Sequence, residues 1–338
     1  MINAGAGRAA SARTVTNRPL TGQVEAERTN AVRAVVFAYH NVGVRCLQVL
    51  LAHGVEIAMV VTHDDNPSEN IWFDSVEKLA GLHRIPVVKP VDPNAPEFVA
   101  EIAALKADFL FSFYYRMMFK PALLATAARG AFNMHGSLLP KYRGRVPVNW
   151  AIIKGETETG ATLHEMVEKP DAGRIVDQAA VPILPNDNAL EVFQKVTLAA
   201  ELTLDRALPE LIKGSAKMRV QDLSAGCYFG GRKAADGVID WHDSAQNIHN
   251  LIRAVAPPYP GASTCIAGKP VIISKSLLAP ARFTHSNAGF MNVSSERCIA
   301  LCGDGQMLRI LEAIIDGKVL NEASLPGRIG IGVHALSA

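Results

Sequence analysis

The chain offers little that would tie it to a membrane, a metal, an oxidising compartment or a polyanion. No run of about 18 or more apolar residues occurs in the sequence, so no membrane insertion is expected. Residues 1–30 lack the apolar core of a secretory signal, and Glu25 and Glu27 sit poorly with a basic transit peptide. Cysteine is sparse and odd in number: Cys46, Cys227, Cys265, Cys298 and Cys302, with no Cys-x-x-Cys. Cys298 and Cys302 flank an apolar stretch and read as small buried strand residues. A zinc site would need two further ligands at suitable spacing; none is visible, so no metal is expected. Free thiols point to a reducing, cytoplasmic compartment. Charge surplus is also missing. The formal net charge is +2, and five Arg against two Glu in residues 1–33 give that stretch +3, leaving −1 for the remainder. Nucleic acid is therefore not an expected partner. The first strand–helix turn, Tyr39-His40-Asn41-Val42-Gly43, has no Gly-x-Gly-x-x-Gly, which speaks against a nicotinamide or flavin cofactor.

What the sequence does contain is enough apolar material for a large core, 49% hydrophobic residues against 20% charged. Its length predicts two domains. Residues 1–33, rich in Ala, Gly, Thr, Asn and Arg, read as a disordered N-terminal extension. Residues 34–221 alternate strands and helices. Strands are expected at Ala34–Ala38, Glu56–Thr62, Pro86–Lys89, Asp108–Phe113 and Gly130–His135. The helices between them are expected at Val44–His53, Ser75–His83, Pro96–Lys106 and Ala122–Arg129. That order implies an α/β fold with a Rossmann-like, mostly parallel sheet. Strands at Gly160–Val167 and Gly173–Pro182 and a long helix over Asn188–Lys213, capped by Asp187, complete this part. Residues 222–338 hold one helix, Ala245–Ala256, and short strands at even spacing. They are Ala262–Ile266, Lys269–Leu278, Gly289–Ser294, Cys298–Cys302 and Met307–Ala313, the pattern of a smaller OB-like β-barrel.

The richest segment runs from Phe132 to Arg145. Asn133 and His135 are two apart at a strand end, so their side chains share a face. The carboxyl ends of strands are where open α/β sheets bind ligands. Gly144 permits close backbone approach, and Arg143 and Arg145 can meet carboxylate or phosphate. Downstream, Asp171 sits in the tight Lys169-Pro170-Asp171-Ala172-Gly173 loop. An amide, an imidazole and a carboxylate can together run acyl transfer without a covalent nucleophile. Taken alone, Asn-x-His is a weak signal and Asp171 an ordinary turn residue. His164 reads as a packed or hydrogen-bonded strand residue, and Tyr114 and Tyr115 as core and rim aromatics.

At these residues the sequence resembles the folate-dependent formyltransferases, whose pattern is Asn-x-His-x-Ser-Leu-Leu-Pro with a later Asp-x-Gly loop. Here it stands as Asn133, His135, Ser137-Leu138-Leu139-Pro140 and Asp171-Ala172-Gly173. Within that family the chain is most similar to the formyltransferase half of the bifunctional enzyme that makes UDP-4-formamido-4-deoxy-L-arabinose. The matching stretches are Val36–His40, Thr62-His63, Asp65–Pro67, Phe111–Arg116, Asn149-Trp150, Gly155–Gly160, Tyr228–Gly230 and Pro258–Ala262. The bifunctional enzyme continues into an NAD-dependent decarboxylase, for which this chain has no counterpart before Ala338.

The resemblance implies an N-formyltransferase with 10-formyltetrahydrofolate as co-substrate and no metal. It makes His135 the general acid/base, Asn133 the oxyanion stabiliser and Asp171 the carboxylate that favours the charged imidazole. It puts the pterin against Met117, Met118, Phe119, Arg145 and the Val167, Glu168, Lys169, Pro170 loop. The implied acceptor is the 4-amine of UDP-4-amino-4-deoxy-L-arabinose, in lipid A modification and resistance to cationic peptide antibiotics. Tyr39, Arg232 and Tyr259 are candidate nucleotide contacts. Small-molecule partners and an oligomer are compatible with this. Other readings stay open: a methionyl-tRNA formyltransferase, an enzyme for another nucleotide-linked amino sugar, a hydrolase releasing formate, or a non-catalytic folate- or nucleotide-binding module.

Overall fold

The computed structural model describes residues 32–282 and 288–337. Of the extension expected at the N-terminus, residues 1–31 lie outside the described residues; Arg33 already opens the first strand. In chain order the first part contains β1 (Arg33–Ala38), α1 (His40–Ala52), β2 (Glu56–Val61), α2 (Val76–Leu82), β3 (Val87–Val88), α3 (Pro96–Ala104) and β4 (Phe109–Phe113). There follow α4 (Pro121–Leu124), β5 (Ala131–His135), β6 (Arg143–Gly144), α5 (Pro147–Ile153), β7 (Glu158–Glu165), β8 (Ile175–Pro182) and α6 (Ala189–Lys213).

The sheet runs β3-β2-β1-β4-β5-β7-β8, parallel from β3 to β5, with β7 and β8 antiparallel to their neighbours. Helices cover both faces, so β1 is buried on both and shows no polar alternation. Its Ala34, Val36 and Ala38 enter one core with α1 and α6. Val35 and Phe37 enter the opposite one with Ile102 of α3 and Leu123 of α4. Strand order reverses between β1 and β4, whose carboxyl ends lead into Tyr39 and Tyr114.

Four local expectations need correction. Helix α1 begins at His40, not Val44. Gly43 is not a turn residue but a close-packing one, since a Cβ there would lie 3.0 Å from Val76 and 3.1 Å from Ala38. The helix expected over Ala122–Arg129 stops at Leu124. Beyond it the Ala128 and Arg129 amides turn to the carbonyls of Ala107 and Asp108. The cap of α6 is Asn188, in a reciprocal capping box with Glu191, while Asp187 instead accepts from the Leu184 amide and Lys195. Helix α5, begun by Pro147, has no counterpart in the sequence reading.

The second part contains β9 (Tyr228–Phe229), α7 (Ala245–Val255), β10 (Ala262–Ile266), β11 (Lys269–Arg282), β12 (Phe290–Val293), β13 (Cys298–Leu301) and β14 (Gln306–Ile315). It ends with β15 (Lys318–Asn321), α8 (Leu325–Ile329) and β16 (Gly332–Ser337). Strands β11-β10-β16-β12-β13-β14 close into a barrel by the pairing of β14 with β11. Ile248, Ile252 and Val255 of α7 join Ile273, Leu308 and Ile310 in its core. Cys298 and Cys302 are buried free thiols in this core. Strands β15 and β16 escape a sequence reading because Val319 and Val333 are 63% and 70% exposed, so their apolar positions do not mark the core face. Among the described residues no helix is long and apolar enough to cross a membrane.

Candidate active site

Strand β5 divides its side chains between two environments. Phe132 and Met134 enter the core, while Asn133 and His135 emerge on the other face. In the antiparallel ladder with β7, Asn133 lies opposite His164 and His135 opposite Thr162. Residues directly opposite share a face, so the register delivers His164 to the side of the sheet that carries Asn133. The Nδ1–H of His164 donates to the Glu165 carbonyl at 2.8 Å, which leaves Nε2 to accept from Asn133 Nδ2 at 3.1 Å. One amide hydrogen of Asn133 is thereby used, and one remains for a ligand.

Asp171 enters from the loop between β7 and β8. Its φ of 51° is left-handed, a conformation Asp tolerates better than most residues. Oδ1 lies 3.6 Å from His135 Nδ1 and 3.5 Å from His164 Nε2, and Oδ2 accepts from the Gly144 amide at 2.8 Å. Gln221 fixes the loop from behind, donating to the carbonyls of Asp171 and Gly173. Burial alone would raise the Asp171 carboxyl. The His135 and His164 rings beside it and the Gly144 N–H outweigh it and hold the group well below the usual carboxylate range. His135 donates Nε2–H to the Tyr142 carbonyl at 2.8 Å. In the neutral ring Nδ1 is therefore the unprotonated nitrogen, and it faces a carboxylate.

The three residues expected to act together, Asn133, His135 and Asp171, thus converge, and His164 joins them. His135 is buried, whereas Asn133 and Asp171 stay partly accessible. The other candidates are dispersed. Met117, Met118 and Val167 are 39%, 57% and 40% exposed. Glu168 and Lys169 are exposed and Pro170 is half-buried. Phe119 is committed to the core, its ring 4.5 Å from that of Phe37, so its side chain is not free to lie against a ligand. Arg145 is exposed, and its amide donates to the Phe229 carbonyl. Arg143 is buried, with no partner for Nε among the described residues.

Tyr39 donates its hydroxyl to Asp65 and lies under the Arg116 guanidinium at 4.7 Å. Tyr39, His63, Asp65, Phe73 and Lys89 help to line a cavity of about 160 Å³ beyond the ends of β1 and β2. A second, of about 260 Å³, lies against Leu138, Pro140, Tyr142 and Thr159. His135 and Asp171 line neither. Arg232 stacks on Trp150 at 4.7 Å and donates to the Asp236 carbonyl. Burial pushes the Tyr259 hydroxyl up to about 12, and its ring stands edge-on to Trp72 at 6.3 Å.

Residues 33–208 match the formyl transferase family, and residues 232–325 match the formyl transferase C-terminal domain. The chain is also similar in structure to an N-formyltransferase from Helicobacter canadensis, solved with folinic acid and dTDP-3-aminofucose. That likeness has 22% identity and a TM-score of 0.65, over 82% of this chain and 98% of that one. A sugar N-formyltransferase from a Shewanella species matches at 20% identity and a TM-score of 0.55, over 67% and 89% of the two chains. HypX from Aquifex aeolicus, solved with tetrahydrofolic acid, matches at 18% identity and a TM-score of 0.60, over 89% of this chain and 48% of that one. At such identities the structural likeness is one of fold. The family match, which spans every strand of the α/β sheet, goes further: the chain belongs to the formyl transferase family and is a transferase enzyme.

Proposed function

We propose that the enzyme moves the formyl group of 10-formyltetrahydrofolate to the amine of a nucleotide-linked amino sugar, with UDP-4-amino-4-deoxy-L-arabinose as the preferred acceptor. The observation that carries the reading is the meeting of Asn133, His135 and Asp171 at the end of β5. The Helicobacter canadensis and Aquifex aeolicus structures were solved with folate ligands, and the former also with an amino sugar nucleotide. The pentose acceptor rests on the resemblance of Phe111–Arg116 and Asn149-Trp150 alone, and with it the place in lipid A modification. The exposed apolar side chains of Met117, Met118 and Val167 suit a flat heterocycle. Residues 34–221 would form the catalytic domain and 222–338 the domain that assists the acceptor.

When bound, the folate supplies a formyl group held through nitrogen, and the reaction exchanges that C–N bond for one to the acceptor amine. His135 takes the amine proton at Nδ1, since Nε2–H is held by Tyr142. Asp171, ionised beside it, stabilises the imidazolium that results. The same Nδ1–H then returns its proton to the departing nitrogen. The remaining N–H of Asn133 Nδ2 is free to hold the formyl oxygen as negative charge develops there. The test is an assay of His135→Ala with formyl donor and candidate amines. Transfer should vanish while donor binding persists. Unchanged turnover would remove the mechanism, and transfer by the wild type to aminoacylated initiator tRNA but not to a sugar nucleotide would overturn the acceptor.

A further inference from the structure

The Tyr228-Phe229-Gly230 segment has no part in the chemistry above, yet it pairs with the loop that holds His135 and Asp171. Strand β9 runs parallel to β6, with Arg143 beside Tyr228 and Gly144 beside Phe229. The amides of Arg143 and Arg145 donate to the carbonyls of Cys227 and Phe229 at 3.0 and 2.9 Å, and the Tyr142 amide to Cys227 Sγ at 3.2 Å. The intervening groups turn to the catalytic side chains instead, on a backbone with Tyr142 at φ 56° and Gly144 at φ 98°. The Tyr142 carbonyl accepts from His135, and the Gly144 amide donates to Asp171. Contact is tight at both ends: a Cβ on Gly144 would meet the Phe229 carbonyl at 2.2 Å, and one on Gly226 the Pro140 carbonyl at 2.1 Å. The Phe229 ring is stacked between Tyr142, at 5.6 Å and 15°, and Trp150, at 4.6 Å and 23°.

We propose that Phe229 is a positioning residue. Clamped between Tyr142 and Trp150, it sets where the Tyr142 carbonyl and Gly144 amide stand. It thereby fixes the tautomer of His135 and its alignment with Asp171. The proposal rests on the roles given above to those two residues, but its structural half can be tested without them.

The experiment uses the full chain with Phe229→Ala, Phe229→Leu and Phe229→Tyr. Nitrogen NMR of the His135 imidazole, recorded without co-substrates, reads the Nε2–H tautomer. In the alanine variant kcat falls about tenfold or more while KM for the amino sugar stays within about threefold, the split of a lost transition-state alignment. The His135 tautomer signature becomes mixed, and Phe229→Tyr restores both. Should the alanine variant melt, Phe229→Leu, which keeps apolar bulk and loses the stack, is read in its place. A wild-type tautomer signature in that variant overturns the proposal, whatever happens to kcat. So does a loss confined to KM. If the wild type formylates no amino sugar, the proposed reaction fails while the NMR comparison still decides the role of Phe229.

Discussion

Asn133 and His164 face each other across the β5–β7 pairing, with the amide Nδ2 of one 3.1 Å from the ring Nε2 of the other. His164 cannot turn, because its Nδ1–H is held by the Glu165 carbonyl. Asn133 is therefore oriented with one hydrogen pointing away from His164. Replacing His164 by Ala removes the orienting bond but not the donor. The expected result is a kcat lower by about tenfold, the scale of one neutral hydrogen bond, and much less than the loss in His135→Ala. Steady-state rates that match the wild type would show that Asn133 needs no such support.

Asp171→Asn keeps the shape of the side chain and tolerates the left-handed backbone at this position. It removes the charge beside His135. A fall in kcat of about a hundredfold or more is expected, since the imidazolium loses its partner. The pH dependence separates the carboxylate from the ring. The Asp171 carboxyl is held well below its ordinary range, so it stays ionised as pH falls to about 4, and protonation of Asp171 is not the origin of an acid limb above that pH. Its stabilising contribution is present above the unfolded carboxylate value and is lost only as pH falls through the lower, folded one. A fall in kcat of less than about tenfold in Asp171→Asn would contradict the role given to the carboxylate.

Gly144 has φ of 98°, and a Cβ there would meet both the Phe229 carbonyl and the Tyr228 ring. Gly144→Ala must move either the β6–β9 pairing or the amide that reaches Asp171. A stability loss of about 2 kcal/mol or more is expected from strain and overpacking together. Activity should fall further than stability alone accounts for, when measured below the melting range. Chemical denaturation and turnover on the same sample check both. A variant as stable as the wild type would mean that the contact relaxes freely.

The sequence revealed what local pattern can encode. A fully apolar β1 requires a sheet covered on both faces, and Asn133 and His135 share a face because they are two residues apart on a strand. His164 was legible only as a strand residue, because its place beside Asn133 comes from the register of two strands joined through β6 and α5. The Tyr142 carbonyl and the Gly144 amide were invisible for another reason: backbone groups carry no residue signature. Phe229 belongs to the Tyr228–Gly230 stretch, but its stack with Tyr142 and Trp150 joins segments far apart in the chain. Phe119 misled in the opposite sense, an aromatic next to two exposed methionines that turns into the core.

Two histidines outside the catalytic group should contribute to the acid sensitivity of the fold between pH 6.5 and 4. The His40 ring lies among Trp72, Phe73 and Phe193 at 4.6, 3.9 and 4.6 Å, and His63 stacks on Tyr115 at 4.1 Å. Burial first, then the nearby Arg116 charge, pushes His40 down to about 3 and His63 down to about 4. Both rings stay neutral in the folded protein at pH 5, while in the unfolded chain they take up protons near 6.5. The unfolded state then binds more protons, so stability rises with pH across this window and is lost as pH falls through it. Between pH 6.5 and 5 the loss should be up to about 3 kcal/mol, from two groups at about 1.4 kcal/mol per pH unit less partial protonation, with the share of the partly exposed His63 the smaller. Urea unfolding at stepped pH measures it. His40→Asn, which accepts the φ of 66° at this position, should lower the slope by about one proton whatever its effect at pH 7. An unchanged slope in that variant would mean that His40 can take up its proton in the folded state.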